Sequence, residues 1–502
     1  MMCEQDILLN PNELVRFLQK PSSGFTRDDL IGFIEEKGIE MLNFRYVAED
    51  GKLKTLNFVI SGRDYLETIL TQGERVDGSS LFSFIEAGSS DLYVVPRYRT
   101  AFVNPFTEIP TLDILCSFYN SEGKPLESDP RYILRKAHRD FTRKTGYRFM
   151  ALGELEYYVN SPRHDFFPPV DQKGYHASEP YAKFEKLRSD ALLLIAKAGG
   201  RTKYGHAEVG SFTRDNELFE QHEIEFLPCS VEDAADQLIV AKWILRMLAF
   251  KYGVEISFAP KITVGKAGSG MHVHAMLEKE GVNSMTQNGS LSDAAKKMVA
   301  GWLDCASALT AFGNTIPTSY LRLVPHQEAP TSICWGDRNR SVLVRVPLGW
   351  LGDNDMVNDA NPVEKIDTSA YGGKQTVEFR SPDGSADIYM LMAGLVVAAR
   401  HGLEMENALD LANDLYVDVN IFREEHKDRY AKLEKLPASC WDSAVALEAK
   451  IPVFEKNGVF PAGVLKNIAE RLRSFDDRNL SERLYGNNDA IRELVLKYIH
   501  CM

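Results

Sequence analysis

At 502 residues, with 44% hydrophobic and 26% charged residues, the chain has the material for more than one core and the composition of an ordinary soluble globular protein. Its formal charge of −13 argues against a general nucleic-acid binder, because phosphate contacts need a basic surface. The seven cysteines (Cys3, Cys116, Cys229, Cys305, Cys334, Cys440, Cys501) make no CxxC pair, which disfavours a disulfide scaffold or a thiolate zinc site.

The opening MMCEQDILLNPNE has no basic region followed by an apolar run, so it does not read as a signal peptide. The longest apolar candidate, Ala234 to Phe250, is interrupted by Asp236, Gln237, Lys242 and Arg246 and is no bilayer span. A cytoplasmic protein without membrane association is the expectation.

In chain order, the first 35 residues read as helical, with apolar positions at Leu14, Phe17 and Leu18 and a second run from Asp28 to Glu36. β-rich segments follow at Met41–Val47, Thr55–Ile60, Leu92–Val95 and Thr111–Tyr119, separated by GK, SG and DGSS turns, as in a small antiparallel or mixed sheet. The pattern changes near Asp129-Pro130-Arg131, where a helix from Tyr132 to Thr145 leads into a larger region. Domains of 1–128 and 129–502 are expected. Ser230-Val-Glu-Asp233 predicts a capped helix start, Gly253 its end, and the nearly all-round apolar stretch between them a buried helix. Ile388 to Ala399 predicts another apolar helix, and the chain from about Leu403 is helical and charged, ending in an amphipathic segment from Ala490 to Ile499.

Four segments place polar groups on strands that would otherwise be core. A spacing of two projects Glu154 and Glu156 to one face, and does the same for His272 with His274, Glu378 with Arg380, and His206 with Glu208. Any one of these alone reads as the solvated side of a sheet. Together, histidine and glutamate in this proportion suit magnesium or manganese better than zinc. Two hard cations flanked by arginines are what phosphoryl transfer needs. Arg322, Arg338, Arg340 and Arg345 supply the arginines; Arg338 sits beside Asp337 and reads as its surface partner, whereas Arg345 lies between Val344 and Val346 in a strand-like run. The loop Gly265-Lys-Ala-Gly-Ser-Gly270 lacks the Lys-Ser or Lys-Thr ending of a P-loop and by itself reads as a turn.

These motifs resemble the glutamine synthetase family, in order from Val76-Asp-Gly-Ser-Ser80 to about Ala399. Lys261–His274 is similar to the family's ATP-binding signature, and Asn339-Arg-Ser and Glu378-Phe-Arg-Ser-Pro-Asp are family-like as well. The resemblance implies an α+β protein: an N-terminal β-grasp domain, then a catalytic domain whose curved antiparallel sheet and flanking helices form a funnel-shaped site. It implies ATP, two or more Mg2+ or Mn2+ ions, glutamate, and ammonium or a primary amine, in homo-oligomeric stacked rings whose sites are completed by a neighbour. Glu156, Glu208 and Glu223 would hold one metal; Glu154, His272 and Glu378 the metal bridging the ATP phosphates. His274, Arg340 and Arg345 would contact phosphates, Arg340 with a catalytic role as well. Arg322 would clamp the α-carboxylate, with Gly268 in the loop approaching the amino group and Arg380 at the reacting carboxyl. Asp77 of the adjacent subunit, beside Ser80 and Tyr175, would bind and deprotonate ammonium, and Glu328 would sit on a closing flap.

The sequence also departs from the family pattern. The Glu208-to-Glu223 segment is longer than usual, leaving Glu220 or Glu225 as alternatives to Glu223. Ala267 replaces an asparagine, His326 a glycine and Thr376 an ATP-contacting arginine, and Ala207 interrupts a histidine pair. The leading expectation is glutamate–ammonia ligation; the alternatives are a γ-glutamyl-amine ligase for polyamines or ethanolamine, and a non-catalytic ring-forming homologue.

Overall fold

The computed structural model describes residues 4–83, 85, 90–163, 166–324, 329–349, 356–367, 373–421, 423–426 and 431–502. Helix α1 (Arg27–Lys37) opens on a Thr26–Asp29 capping box and closes at Gly38, which takes the left-handed conformation a helix end favours. It packs Leu30, Phe33 and Ile34 into the same core as Leu42, Phe44, Leu112 and Ile114 of the sheet beside it. That sheet comprises β1 (Met41–Val47), β2 (Leu53–Val59), β3 (Glu74–Asp77), β4 (Asp91–Pro96), β5 (Phe102–Val103) and β6 (Thr111–Tyr119). The order is β2-β1-β6-β4-β3, with β5 alongside β6. Only β1 and β6 run parallel, and the long connection this requires carries the intervening strands.

Helix α2 (Pro130–Thr145) starts two residues before the expected point, because Asp129 caps it and Pro130 occupies its first turn, where a missing N–H costs nothing. A larger sheet follows: β7 (Arg148–Pro162), β8 (Thr202–Arg214), β9 (Glu217–Phe226), β10 (Cys229–Ser230), β11 (Glu255–Ser257), β12 (Met271–Lys279), β13 (Val282–Asn283), a separate hairpin of β14 (Thr286–Gln287) and β15 (Ser290–Leu291), then β16 (Trp335–Asp337), β17 (Val344–Val346) and β18 (Val377–Phe379). Its main path is β16-β17-β18-β12-β7-β9-β8. Every pairing along it is antiparallel except β16 with β17.

An apolar helix, α3 (Val231–Tyr252), capped by Ser230 and ended by Gly253, backs this sheet, and a second, α4 (Ile388–Glu404), packs against α3 and α2. Gly153 of β7 lets α3 approach closely, since a Cβ there would lie 2.8 Å from the Leu238 side chain. The α+β expectation holds, and so do the predicted caps. Among the described residues no single helix is long and apolar enough to cross a membrane.

A buried ionic hub joins the two sheets. Asp236 of α3 accepts both guanidinium nitrogens of Arg97 at 2.6 and 3.1 Å and the Tyr389 hydroxyl at 2.7 Å, with Arg131 at 3.5 Å. Arg45 stacks over Trp243 of the same helix at 4.6 Å. Burial opposes ionisation of Asp236, but Arg97 and Arg131 outweigh it and hold its pKa at about 2. Because the folded-state value lies below the unfolded one, the hub's contribution is complete above about pH 4 and is lost as pH falls towards 2. Asp236→Asn leaves two buried guanidiniums short of their counter-charge, and should destabilise the protein by about 3–5 kcal/mol. A lowered urea midpoint at pH 7, with the gap to wild type closing near pH 2–3, is the expected result; unchanged midpoints would assign the docking to apolar contacts alone.

Candidate active site

The register of the larger sheet brings the sequence-distant polar pairs into one patch. His272 of β12 lies opposite Glu154 of β7, which lies opposite Glu225 of β9. One step along, Glu156 faces Glu223, which faces His206 of β8. On the other side, His274 of β12 lies opposite Glu378 of β18, and Glu378 opposite Arg345 of β17. With a side-chain period of two, all of these project away from α3 into a cavity of about 800 Å3.

Two groupings result. In the first, the ligating atoms of Glu154, His272 and Glu378 all lie within 4.8 Å of one another, with His272 Nδ1 3.0 Å from Glu154 and 3.4 Å from Glu378. His274 Nε2 sits 2.8 Å from the other oxygen of Glu154, while its Nδ1 meets the Thr376 hydroxyl at 3.0 Å. In the second grouping, His206, Glu208 and Glu223 lie within the same limit. Glu156 adjoins it, accepting from the Gly270 N–H at 2.7 Å and from Gln221 Nε2 at 3.1 Å.

The parity of β9 separates the three candidate glutamates. Glu223 and Glu225 face the cavity, with Glu225 tied to Lys203 at 2.6 Å. Glu220 faces the other way: it pairs with the buried His222 at 2.8 Å and accepts the Lys183 and Phe184 N–H groups ahead of the helix Glu185–Lys197. His206 was not among the expected ligands. Its shared face with Glu208 was the available signal. Thr376 was marked only as a departure at an arginine position, and neither its bond to His274 nor that of Gln221 to Glu156 was legible, since both depend on which distant atoms they meet.

The electrostatics match two charge centres. Burial works against an ionised Glu154, yet His274 and His272 outweigh it and hold its carboxyl well below the usual range. Glu378 is held down in the same way, against burial, chiefly by Arg380, whose Nε is 3.0 Å away; Arg345 adds a contact at 3.0 Å. Glu223 is driven well above its ordinary value, by burial first and then by Glu154, Glu156, Glu208 and Glu225. Crowded carboxylates with one imidazole per grouping form a hard, oxygen-rich donor set that fits magnesium or manganese.

The remaining expected residues divide between wall and periphery. Arg322, Arg340, Arg345, Arg380, Gly268 and Tyr175 line the cavity. Arg322 is buried and donates to the carbonyls of Ser381 at 2.8 Å and Arg380 at 3.3 Å. Two glycines of the loop before β12 answer to close approach: a Cβ at Gly268 would lie 2.6 Å from the Pro260 carbonyl oxygen, and one at Gly270 2.7 Å from Arg322 Nη2 and from His272 Nε2. Asp77 and Ser80 stand apart. Among the described residues lining the cavity none precedes Met150, and Asp77 is exposed at the end of β3. Hydrogen bonds from Ser80 and Ser79, each at 2.7 Å, help hold its pKa at about 2. Glu328 and His326 lie outside the described residues.

Known proteins share this architecture. The family descriptions "Glutamine synthetase, catalytic domain" and "Glutamine synthetase, beta-Grasp domain" match residues 127–474 and 38–121. Glutamine synthetase of Thermotoga maritima is 30% identical, across 83% of this chain and 88% of its own length. The Methanococcus maripaludis enzyme is 28% identical, across 87% and 92%. Among solved structures, a cryo-EM glutamine synthetase of Plasmodium falciparum superposes with a TM-score of 0.72 at 19% identity, and ligand-free GmaS with 0.72 at 20%; each covers 90% of this chain and 96% of its own, and likeness at that identity speaks for the fold alone. With both of its sheets matched in order, the chain belongs to the glutamine synthetase family of ATP-dependent carbon–nitrogen ligases.

Proposed function

We propose that this protein joins glutamate to ammonia with ATP, making glutamine through γ-glutamyl phosphate. The observation that carries the reading is the pair of acid–imidazole groupings on one sheet face, bordered by Arg322, Arg340, Arg345 and Arg380. Glu154, His272 and Glu378 would hold one divalent ion, and Glu208 and Glu223 with Glu156 or His206 a second; bound there, such ions neutralise the charge of ATP phosphates and the reacting carboxylate. The rest falls to the chain itself. A carboxylate is a poor electrophile, so the γ-phosphoryl group passes to its oxygen and ADP leaves. Arg340, Arg345 and His274 stabilise that charge, while Arg322 grips the α-carboxylate and Arg380 orients the γ end. Ammonium then loses a proton, its nitrogen attacks the acyl carbon, and phosphate departs. Tyr175 borders the approach, and Asp77 with Ser80 would come from a neighbouring subunit of a ring-forming homo-oligomer. Glu328 would close the site, since an acyl phosphate hydrolyses when water enters. A cytoplasmic setting suits this chemistry.

One observation favours a second reading, a primary amine in place of ammonia. Tyr175, His176 and His206 cluster beside Glu208, the first pair stacked with ring centroids 4.2 Å apart and the second tilted at 4.4 Å, giving an organic cation an aromatic wall. The test is ATP-dependent phosphate release with glutamate and Mg2+, ammonium against a panel of primary amines, each product identified by mass. The expected result is glutamine as the product of highest kcat/KM. A winning amine would establish the second reading, and no amide from any nucleophile would refute both.

A further inference from the structure

The loop from Gly265 to Gly270 is held largely by side chains that are not its own. The Ala267 carbonyl accepts the Tyr158 hydroxyl at 2.9 Å, and the Gly268 carbonyl accepts Gln221 Nε2 at 3.0 Å. Those two partners are buried on β7 and β9. The Ala267 N–H donates to Gln172 Oε1 at 2.8 Å, and Lys266 pairs with Asp171. These last partners come from the long excursion between β7 and the helix Glu185–Lys197.

That excursion itself runs beside β8 and donates hydrogen bonds to it. The N–H groups of Gln172, Gly174 and His176 donate to the carbonyls of Ser211, Val209 and Ala207 at 2.8, 3.3 and 2.9 Å, one contact every second residue. They meet β8 where its register against β9 jumps: Ala207 to Ser211 spans what β9 covers from His222 to Glu220. Gln172 has φ +54°, a left-handed conformation uncommon for a residue with a side chain, and its amide reaches the Ala267 peptide from that position.

The consequence runs through Arg322. A Cβ at Gly268 would lie 3.0 Å from Arg322 Cγ, so the loop backbone rests directly on the arginine that grips the acid in the function proposed above, on which this inference depends. A shift of the Ala267–Gly268 peptide therefore moves Arg322. Ala267, with a methyl side chain, cannot hydrogen-bond the loop in place by itself. Three residues beyond Gln172, the same segment delivers Tyr175 to the cavity wall.

We infer that Gln172 is a positioning residue for the acid substrate: its Oε1 fixes the Lys266–Ala267 peptide and, through the neighbouring Gly268 backbone, the Arg322 clamp. The loop contact at 2.8 Å requires only an acceptor, while Nε2 makes just a long contact of 3.5 Å to the Ser211 carbonyl, which makes the test specific. Gln172→Ala removes the acceptor and should raise the KM for glutamate about five- to tenfold, with kcat changed less than about twofold and the KM for ATP unchanged. Gln172→Glu keeps an oxygen at the same reach, beside Lys266, and should restore the glutamate KM to within about twofold of wild type. The measurements are steady-state kinetics of the full-length protein and its two variants, with thermal midpoints alongside. An unchanged glutamate KM in Gln172→Ala would overturn the inference. Equal impairment of both variants would overturn it too, as would a fall in kcat and thermal midpoint without a selective KM effect. Wild-type protein runs in parallel: if it makes no amide from glutamate, the proposed function fails, whereas an active wild type with an indifferent Gln172→Ala isolates the failure to this inference.

Discussion

Replacing Glu378 by glutamine is expected to lower turnover about a thousandfold while leaving the protein folded. The side chain is 2% exposed and meets three partners at once: His272 at 3.4 Å, and Arg345 and Arg380 at 3.0 Å. Glutamine preserves the volume, so no cavity opens; what disappears is a formal charge that two arginines and a proposed cation share. Cation affinity should fall as well, so the Mg2+ concentration giving half-maximal rate rises in the variant. His272→Ala attacks the same grouping from β12 and should show a loss of similar size. If the two residues serve one ion, the double variant falls little below either single one, because groups that act as a unit are strongly non-additive. Additive losses would place them in separate roles. Near-normal turnover in Glu378→Gln would make its carboxylate a structural counter-ion for Arg345 and Arg380 and nothing more.

Much of this patch was legible before the fold was known, because strand periodicity is local. Glu154 with Glu156, and His272 with His274, share a face wherever their strands lie. Register is the missing quantity. Nothing in residues 150–160 says that Glu154 will stand opposite His272, 118 positions on, or that Glu156 will stand opposite Glu223. Glu220 illustrates the limit: it remained a candidate ligand until β9 was placed, and parity then turned it towards Lys183 and Phe184. The jump in β8 between Ala207 and Ser211 had no counterpart in the sequence reading, since a bulge carries no compositional mark. Within the smaller sheet four of the six strands were legible, Met41–Val47 and Thr111–Tyr119 to the residue, whereas the short Glu74–Asp77 and Phe102–Val103 were not. Nor was the parallel pairing of Met41–Val47 with Thr111–Tyr119, because it is a property of the connection between them. Gln172 was invisible for the same reason, since its role depends on atoms brought in from another segment, and His206 was legible only as sharing a face with Glu208.

Asp77→Asn is expected to separate the two halves of the reaction. The carboxyl, with its pKa at about 2, stays ionised at any working pH, which suits it to attract and orient an ammonium ion and makes it a weak base towards the free cation. Ammonium has no lone pair, so a proton must leave it before the nitrogen attacks, and the anion's part is to hold the cation beside the acyl carbon while that proton is lost. Asparagine keeps the shape but not the charge. Amide formation should drop about a hundredfold or more, while glutamate-dependent ATP cleavage continues, so the ratio of phosphate to glutamine climbs well above one. Parallel loss of both activities would give Asp77 a different role. The location of Asp77, outside the cavity wall of its own chain, adds a second and sharper readout. If the motif serves a neighbour, a site needs Asp77 from one subunit and Glu378 from the next. Asp77→Asn and Glu378→Gln subunits, each nearly inactive alone, should then regain activity when dissociated together and reassembled, with about a quarter of the sites in a random ring carrying both intact groups. Recovery near that level would make the active site a shared one. No recovery, from hybrids shown by mass to have formed, would return Asp77 to its own chain.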